Sequence, residues 1–158
     1  MTGYAGFSGS RKIYQNEETR KKLLDHYPKS FFTVLGEISP EPFPEPVPGI
    51  KDRESALDGG VFGALWRLMK RNCLGAEFSQ RAIPVKQQTV EICESFDLDP
   101  YRMESEGCIL WLAEDPEPLR KKAAAAGVCC VQIGFAHKGS AICRTDGASV
   151  AYLRRPES

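Results

Sequence analysis

Leu57-Asp58-Gly59-Gly60-Val61-Phe62-Gly63-Ala64-Leu65-Trp66-Arg67-Leu68-Met69-Lys70-Arg71-Asn72 is the stretch on which the fold turns. After Gly60, the apolar residues Val61, Phe62, Leu65, Trp66, Leu68 and Met69 recur at helical spacing, which leaves Arg67, Lys70 and Arg71 on the opposite face. The pattern predicts a core helix, with Asp58 capping its first turn and basic residues at its C-terminal end, where the helix dipole favours positive charge. A glycine pair ahead of a helix lets backbone N–H groups approach an anion closely. The same pair turns a chain sharply into a core helix with no ligand at all, and both readings stand on these residues.

Working outward, the chain behind this helix changes character. Gly75 to Gln80 reads as a strand, and Pro84 opens a helix with Val85, Thr89, Ile92, Cys93 and Phe96 on one stripe. The unbroken apolar run Cys108 to Ala113 predicts a strand covered on both faces. Asp115, Pro116 and Gly127 bracket a further helix, Val128 to Ile133 reads as a buried strand, and Ala141 to Arg144 and Ala148 to Leu153 follow as shorter ones. The order from residue 74 is therefore β-α-β-α-β-β after helices at the front. Two crossover helices on one face of a mixed sheet and the Trp66 helix on the other give a three-layer α/β/α sandwich of α+β class.

Ahead of the helix, Gly6 to Lys12 is a small-residue loop running into helical sequence, with Ser8 or Ser10 as its cap. A second start lies at Asn16 with Glu17 and Glu18 in the first turn, and Pro28 stops that helix. Phe31, Phe32, Leu35 and Ile38 suggest a short helix. The proline-rich segment within residues 39–52 excludes an ordinary helix or central strand and reads as an internal linker.

At 158 residues the chain forms one domain large enough to bury a core. Lys plus Arg and Asp plus Glu both total 21, so no basic excess drives nucleic-acid binding. The longest apolar run is far too short to span a bilayer, and the first residues lack the pattern of a secretory signal. Six cysteines without a C-x-x-C pair point to buried thiols in a reducing cytoplasm and to no metal site. No catalytic triad can be read from spacing, and no catalytic residue is assigned.

Three stretches together resemble the C-terminal domain of the aminoimidazole ribonucleotide (AIR) synthetase superfamily, in its branch related to the hydrogenase-maturation carbamoyl dehydratase. They are Met1 to Gly9, Asp58 to Trp66, and Ile83 to Glu94 running on to Leu98-Asp99-Pro100-Tyr101 and Glu106-Gly107. The resemblance implies that residues 1–158 are the second domain of a two-domain architecture whose N-terminal half binds ATP and magnesium and is absent here. It implies no cofactor in this chain itself. Its partner would be a second copy or a separate ATP-binding domain. Function then reads as a binding or subunit module without independent catalysis, or as a component of an ATP-dependent phosphoryl-transfer, ring-closing or dehydrating enzyme. Where the family carries His/Thr-Asp-x-Thr/Ser before its glycine pair, this chain has Glu54-Ser55-Ala56-Leu57, and it lacks the terminal cysteine of the hydrogenase-maturation enzyme. A ligand, if bound, is expected at the two glycine-containing helix starts: Gly6, Ser8, Gly9, Ser10 and Arg11, and Asp58, Gly59 and Gly60.

Overall fold

The computed structural model describes residues 1–37, 46–146 and 150–156. Residues 38–45, and with them half of the expected linker and Ile38 of the expected short helix, lie outside the described residues, as do residues 148–149 of the last expected strand.

The N-terminal third is helical. α1 (Phe7–Gln15) starts behind Gly6 rather than at a serine cap, so Ser8 and Ser10 lie inside the helix and are buried. α2 (Glu17–Leu24) begins as expected: the Asn16 side chain accepts from the Glu18 and Thr19 N–H groups, with Glu17 and Glu18 in the first turn. A 3-10 turn (Lys29–Phe32) leads into α3 (Val34–Glu37). These elements close an apolar cluster of Phe7, Leu23, Phe32, Leu35 and Ile92, rimmed by aromatic rings such as Tyr14 and Phe32 at 4.8 Å between centroids.

β1 (Ile50–Ser55) occupies the end of the expected linker, so the extended spacer gives way to a strand from Ile50 onward. Its sequence alternates charge rather than hydrophobicity, and cross-strand pairing makes it a strand. It runs antiparallel to β3 (Ile109–Ala113), with Arg53 opposite Trp111. Between them in sequence, α4 (Gly60–Arg71) buries Val61, Phe62, Leu65, Leu68 and Met69, while Trp66 is only partly buried, under Lys70 and Arg155. β2 (Leu74–Phe78) follows, then α5 (Gln87–Ser95) and α6 (Glu117–Ala126), which ends at Gly127 in the left-handed region.

The α+β class and the layering hold, with a different strand set. β3 alternates cleanly: Leu110 and Leu112 face the cluster built on α4, and Ile109 and Trp111 face Leu119 and Ala123 of α6. α4, the β1–β3 pair and α6 therefore make three layers. α5 packs on α1 rather than crossing the same sheet face as α6. β4 (Gly134–Lys138), β2, β5 (Ile142–Arg144) and β6 (Ala151–Tyr152) form a second, mixed sheet in that order. β2 is parallel to β5 and antiparallel to β4, and α4 packs against β1, β2 and β3, so it underlies both sheets.

The stretch expected as a buried strand from Val128 to Ile133 is paired only locally. Thr2 bridges Ile109 and Cys130, and the regular strand begins at Gly134, where the chain meets β2. No helix among the described residues is long and apolar enough to cross a membrane.

Candidate functional site

The two glycine-containing helix starts converge on one loop, residues 99–107. A Cβ on Gly6 would lie 2.9 Å from the Pro100 carbonyl oxygen, and one on Gly60 would lie 2.6–2.7 Å from backbone atoms of Tyr101, Arg102 and Met103. Gly9 packs as tightly against Met103. The sequence-predicted site residues Gly6, Ser8, Gly9 and Gly60 are thus brought to the same strip of chain, with Gly6 and Gly60 admitting its backbone, and Gly9 the Met103 side chain, where a Cβ could not fit.

The loop already engages several of the donors at these starts. The Gly6 N–H donates to Ser105 Oγ at 2.6 Å, the Gly9 N–H to the Glu104 carbonyl at 3.0 Å, and the Phe62 N–H to the Tyr101 carbonyl at 3.0 Å. Ser8 Oγ donates to the Glu104 carbonyl and accepts from the Glu106 N–H, and Lys12 pairs with the Glu104 carboxylate at 2.7 Å. Ser105, fully buried, donates to the Met103 carbonyl, and its N–H reaches the Ala56 carbonyl just before α4. This serine ties the two helix starts together through the loop. Nothing in its sequence neighbourhood singles it out, because a serine in a Glu-rich turn reads as solvated.

The remaining predicted residues point elsewhere. Ser10 Oγ meets Thr89 Oγ1 of α5 at 3.0 Å in the interior, and Arg11 Nε donates to the Leu35 carbonyl at 2.7 Å with its guanidinium over the Phe7 ring. Asp58 is exposed and its carbonyl accepts from Arg67 at 2.9 Å, with Gly59 next to it at the left-handed start of α4.

Beside this confluence lies a charge network that joins β1 to α4. Arg71 bonds Asp52 at 2.8 Å and Glu54 at 2.5 Å, Arg67 bonds Glu54 at 3.1 Å, and the Asn72 amide donates to Asp52 at 2.8 Å. The bonds from Arg71 and Asn72 hold the Asp52 carboxyl down at about 2. Burial pushes the Glu54 carboxyl up, but the bonds from Arg71 and Arg67 outweigh it and leave the group below its ordinary value. Alternating charges at 51–54 and basic residues on the outer face of α4 were the sequence signal for this network.

His137 is exposed, with Nδ1 against the Lys138 carbonyl, and His26 is exposed beyond the end of α2. The six cysteines are free, and among the described residues no group of three or more His, Cys, Asp or Glu side chains could hold a metal ion.

No protein-family model matches the sequence. The carbamoyl dehydratase HypE of Rhodobacter capsulatus is 28% identical over 105 residues, covering 62% of this chain and 31% of that protein. Among solved structures, E. coli HypE superposes with a TM-score of 0.67 at 20% identity, over 99% of this chain and 48% of that one. A HypE–HypF complex matches with a TM-score of 0.58 at 20% identity, over 68% of this chain and 37% of that one. The chain therefore spans less than half the length of each of these relatives. Sequence likeness over this region and a shared fold support a relationship of the chain to HypE.

Proposed function

We propose that this chain is the non-nucleotide, C-terminal-type lobe of a HypE-like two-lobed architecture, and that it works as a binding or subunit module without catalysis of its own. The observation that carries this reading is the superposition of 99% of the chain on only 48% of E. coli HypE. The site supports it in two ways. Donors of Gly6, Gly9 and Phe62 at the glycine helix starts are engaged by residues 101–105. Where the family carries an acid and a hydroxyl before its glycine pair, Glu54 is bound by Arg67 and Arg71, and Ser55 Oγ accepts from the Leu57 N–H. ATP and magnesium would enter only with a separate ATP-binding domain or subunit, working with this chain in the cytoplasm. The HypE–HypF complex is a precedent among relatives for a partner of a different kind, and a second copy of this chain is the other candidate.

A second reading draws on the retained Gly59-Gly60 start: the chain supplies half of an ATP-dependent phosphoryl-transfer, ring-closing or dehydrating site. In it, Gly6, Ser8, Gly9, Asp58, Gly59 and Gly60 line the shared cleft, with Ser10 and Arg11 holding the first helix start from behind through Thr89 and the Leu35 carbonyl. Calorimetry separates the two. The module reading expects no heat of binding for ATP, ADP or phosphate with magnesium on the chain alone. Magnesium-dependent ATP hydrolysis by the chain alone, lost in Asp58→Ala, would overturn it in favour of the second.

A further inference from the structure

The sheet β4-β2-β5-β6 carries apolar side chains on both faces, and α4 takes only one of them. Ala76 and Phe78 of β2 and Ile142 of β5 belong to the buried cluster built on α4, and Leu153 packs against it just beyond β6. The alternate residues face the other way. Phe135 is paired with Glu77, Glu77 with Cys143 and Cys143 with Tyr152, so these four side chains form one row across all four strands. Phe135 is 71% exposed and Tyr152 65% exposed, with exposed Glu77 between them. With neighbouring strands about 4.8 Å apart, the two rings stand about 14 Å from each other, one on each outer strand.

The charges of this face lie on a diagonal. The Leu153 N–H donates to the Ile142 carbonyl at 2.8 Å, which carries the β5–β6 register one residue further. Leu153 and Arg155 point to the α4 side, where the Arg155 guanidinium lies over the Trp66 ring at 5.9 Å. Arg154 between them therefore points to the same side as Tyr152. Glu77 and Arg154 are exposed, and neither is ion-paired among the described residues. They are separated by about 9.6 Å across the sheet and about 7 Å along it, too far to meet within one chain.

We propose that this face packs against the same face of a second copy, as the two sheets of a sandwich related by a two-fold axis running parallel to the strands between β2 and β5. The side chains of the face select that occupant, because the face is its own complement. The strand order puts one aromatic ring at each end of the row, and this axis exchanges the ends, so Phe135 of each copy comes over Tyr152 of the other. Glu77 then stands opposite Cys143 rather than another carboxylate. Arg154 of the other copy moves to one strand spacing from Glu77, within reach of a long guanidinium side chain between sheets about 10 Å apart. His137, on the same face beside Gly75, stands opposite Arg154 as well. With Nδ1–H donating to the Lys138 carbonyl, its neutral ring offers Nε2 as an acceptor to that guanidinium. The proposal rests on the subunit reading only in its choice of partner. ATP hydrolysis by the chain alone would overturn that reading and leave this interface intact, whereas a monomeric chain would remove the interface and leave a separate ATP-binding partner.

The test is sedimentation equilibrium of the full chain. A monomer–dimer equilibrium is expected, in which Phe135→Glu and Tyr152→Glu each raise Kd at least about tenfold. Leu98→Glu, at an exposed position beyond the end of α5, should leave it unchanged. Glu77→Arg and Arg154→Glu each oppose like charges and should weaken association at least about threefold. The two exchanges combined restore the pair and should return Kd to within about twofold of the parent. Thermal melts matching the parent show that the variants are folded, and Tyr152→Glu serves alone should Phe135→Glu melt early. The proposal is overturned by a chain that stays monomeric at about 1 mM, which would assign the face to a different partner. It is equally overturned by assembly beyond a dimer, by a dimer that the folded glutamate variants leave unchanged, or by a double exchange as weak as the single ones.

Discussion

Replacing Gly60 by alanine tests whether the approach of α4 to the 101–103 loop is a steric requirement or only a turn preference. Gly60 has φ +66°, and its added Cβ would stand 2.6 Å from the Arg102 carbonyl carbon, 2.6 Å from the Tyr101 oxygen and 2.7 Å from the Met103 oxygen. All three are backbone atoms, so relief requires the loop or the helix to move. The left-handed conformation costs an alanine about 1–2 kcal/mol, and forcing extra volume into packed surroundings adds about 1–3 kcal/mol. Gly127 at the end of α6 isolates the first contribution: its φ is +69° and a Cβ there meets nothing within 4 Å. Gly36 in α3 isolates neither, with open space and an ordinary φ, so alanine there should stabilise by about 0.4–1 kcal/mol. For a chain of this length each kcal/mol moves the melting temperature by about 2–4 °C. Calorimetric melting should therefore rank Gly36→Ala above the parent, Gly127→Ala about 2–8 °C below it, and Gly60→Ala lower still, by about 4–20 °C. If Gly60→Ala melted at or above Gly127→Ala, the backbone packing described for the helix start would be wrong.

Two further outcomes follow from titratable groups. Asp146 accepts from the Arg81 and Gln80 N–H groups and from Ser79 Oγ, which hold its carboxyl at about 2. Its contribution is complete above the unfolded carboxylate value of about 3.9 and is lost as pH falls toward about 2, so Asp146→Ala should flatten the melting-temperature profile across that acid window. An equal slope in parent and variant would contradict these bonds. Burial raises the thiols of Cys93 to about 11 and Cys108 to about 12, while Cys73 is exposed. An aromatic disulfide reagent at neutral pH should label Cys73 first and reach Cys93 and Cys108 only after denaturant is added; early labelling of Cys108 would contradict its place in the core.

What could be read from the chain divides along a physical line. α4 was legible because its burial is one-sided and local: residues three and four apart share a face whatever lies opposite. Asn16 and Gly127 were legible because capping chemistry is carried by the capping residue itself. β1 was not, because Ile50–Ser55 becomes a strand through partners distant in sequence: β3 alongside it, and Arg67 and Arg71 above its acidic side chains. Val128 to Ile133 fails in the opposite sense. Its apolar, β-branched composition suits a buried strand, but a strand needs neighbours, and among the described residues only Met1–Gly3 pairs with its middle. The candidate site divides likewise. The glycines were visible as glycines, but their partner, the 99–107 loop anchored by buried Ser105, emerges only when α1 and α4 are brought to it. The donors of Gly6, Gly9 and Phe62 at the helix starts are bonded to that loop within the chain, so Gly60→Ala should act through stability, by displacing the loop from α4.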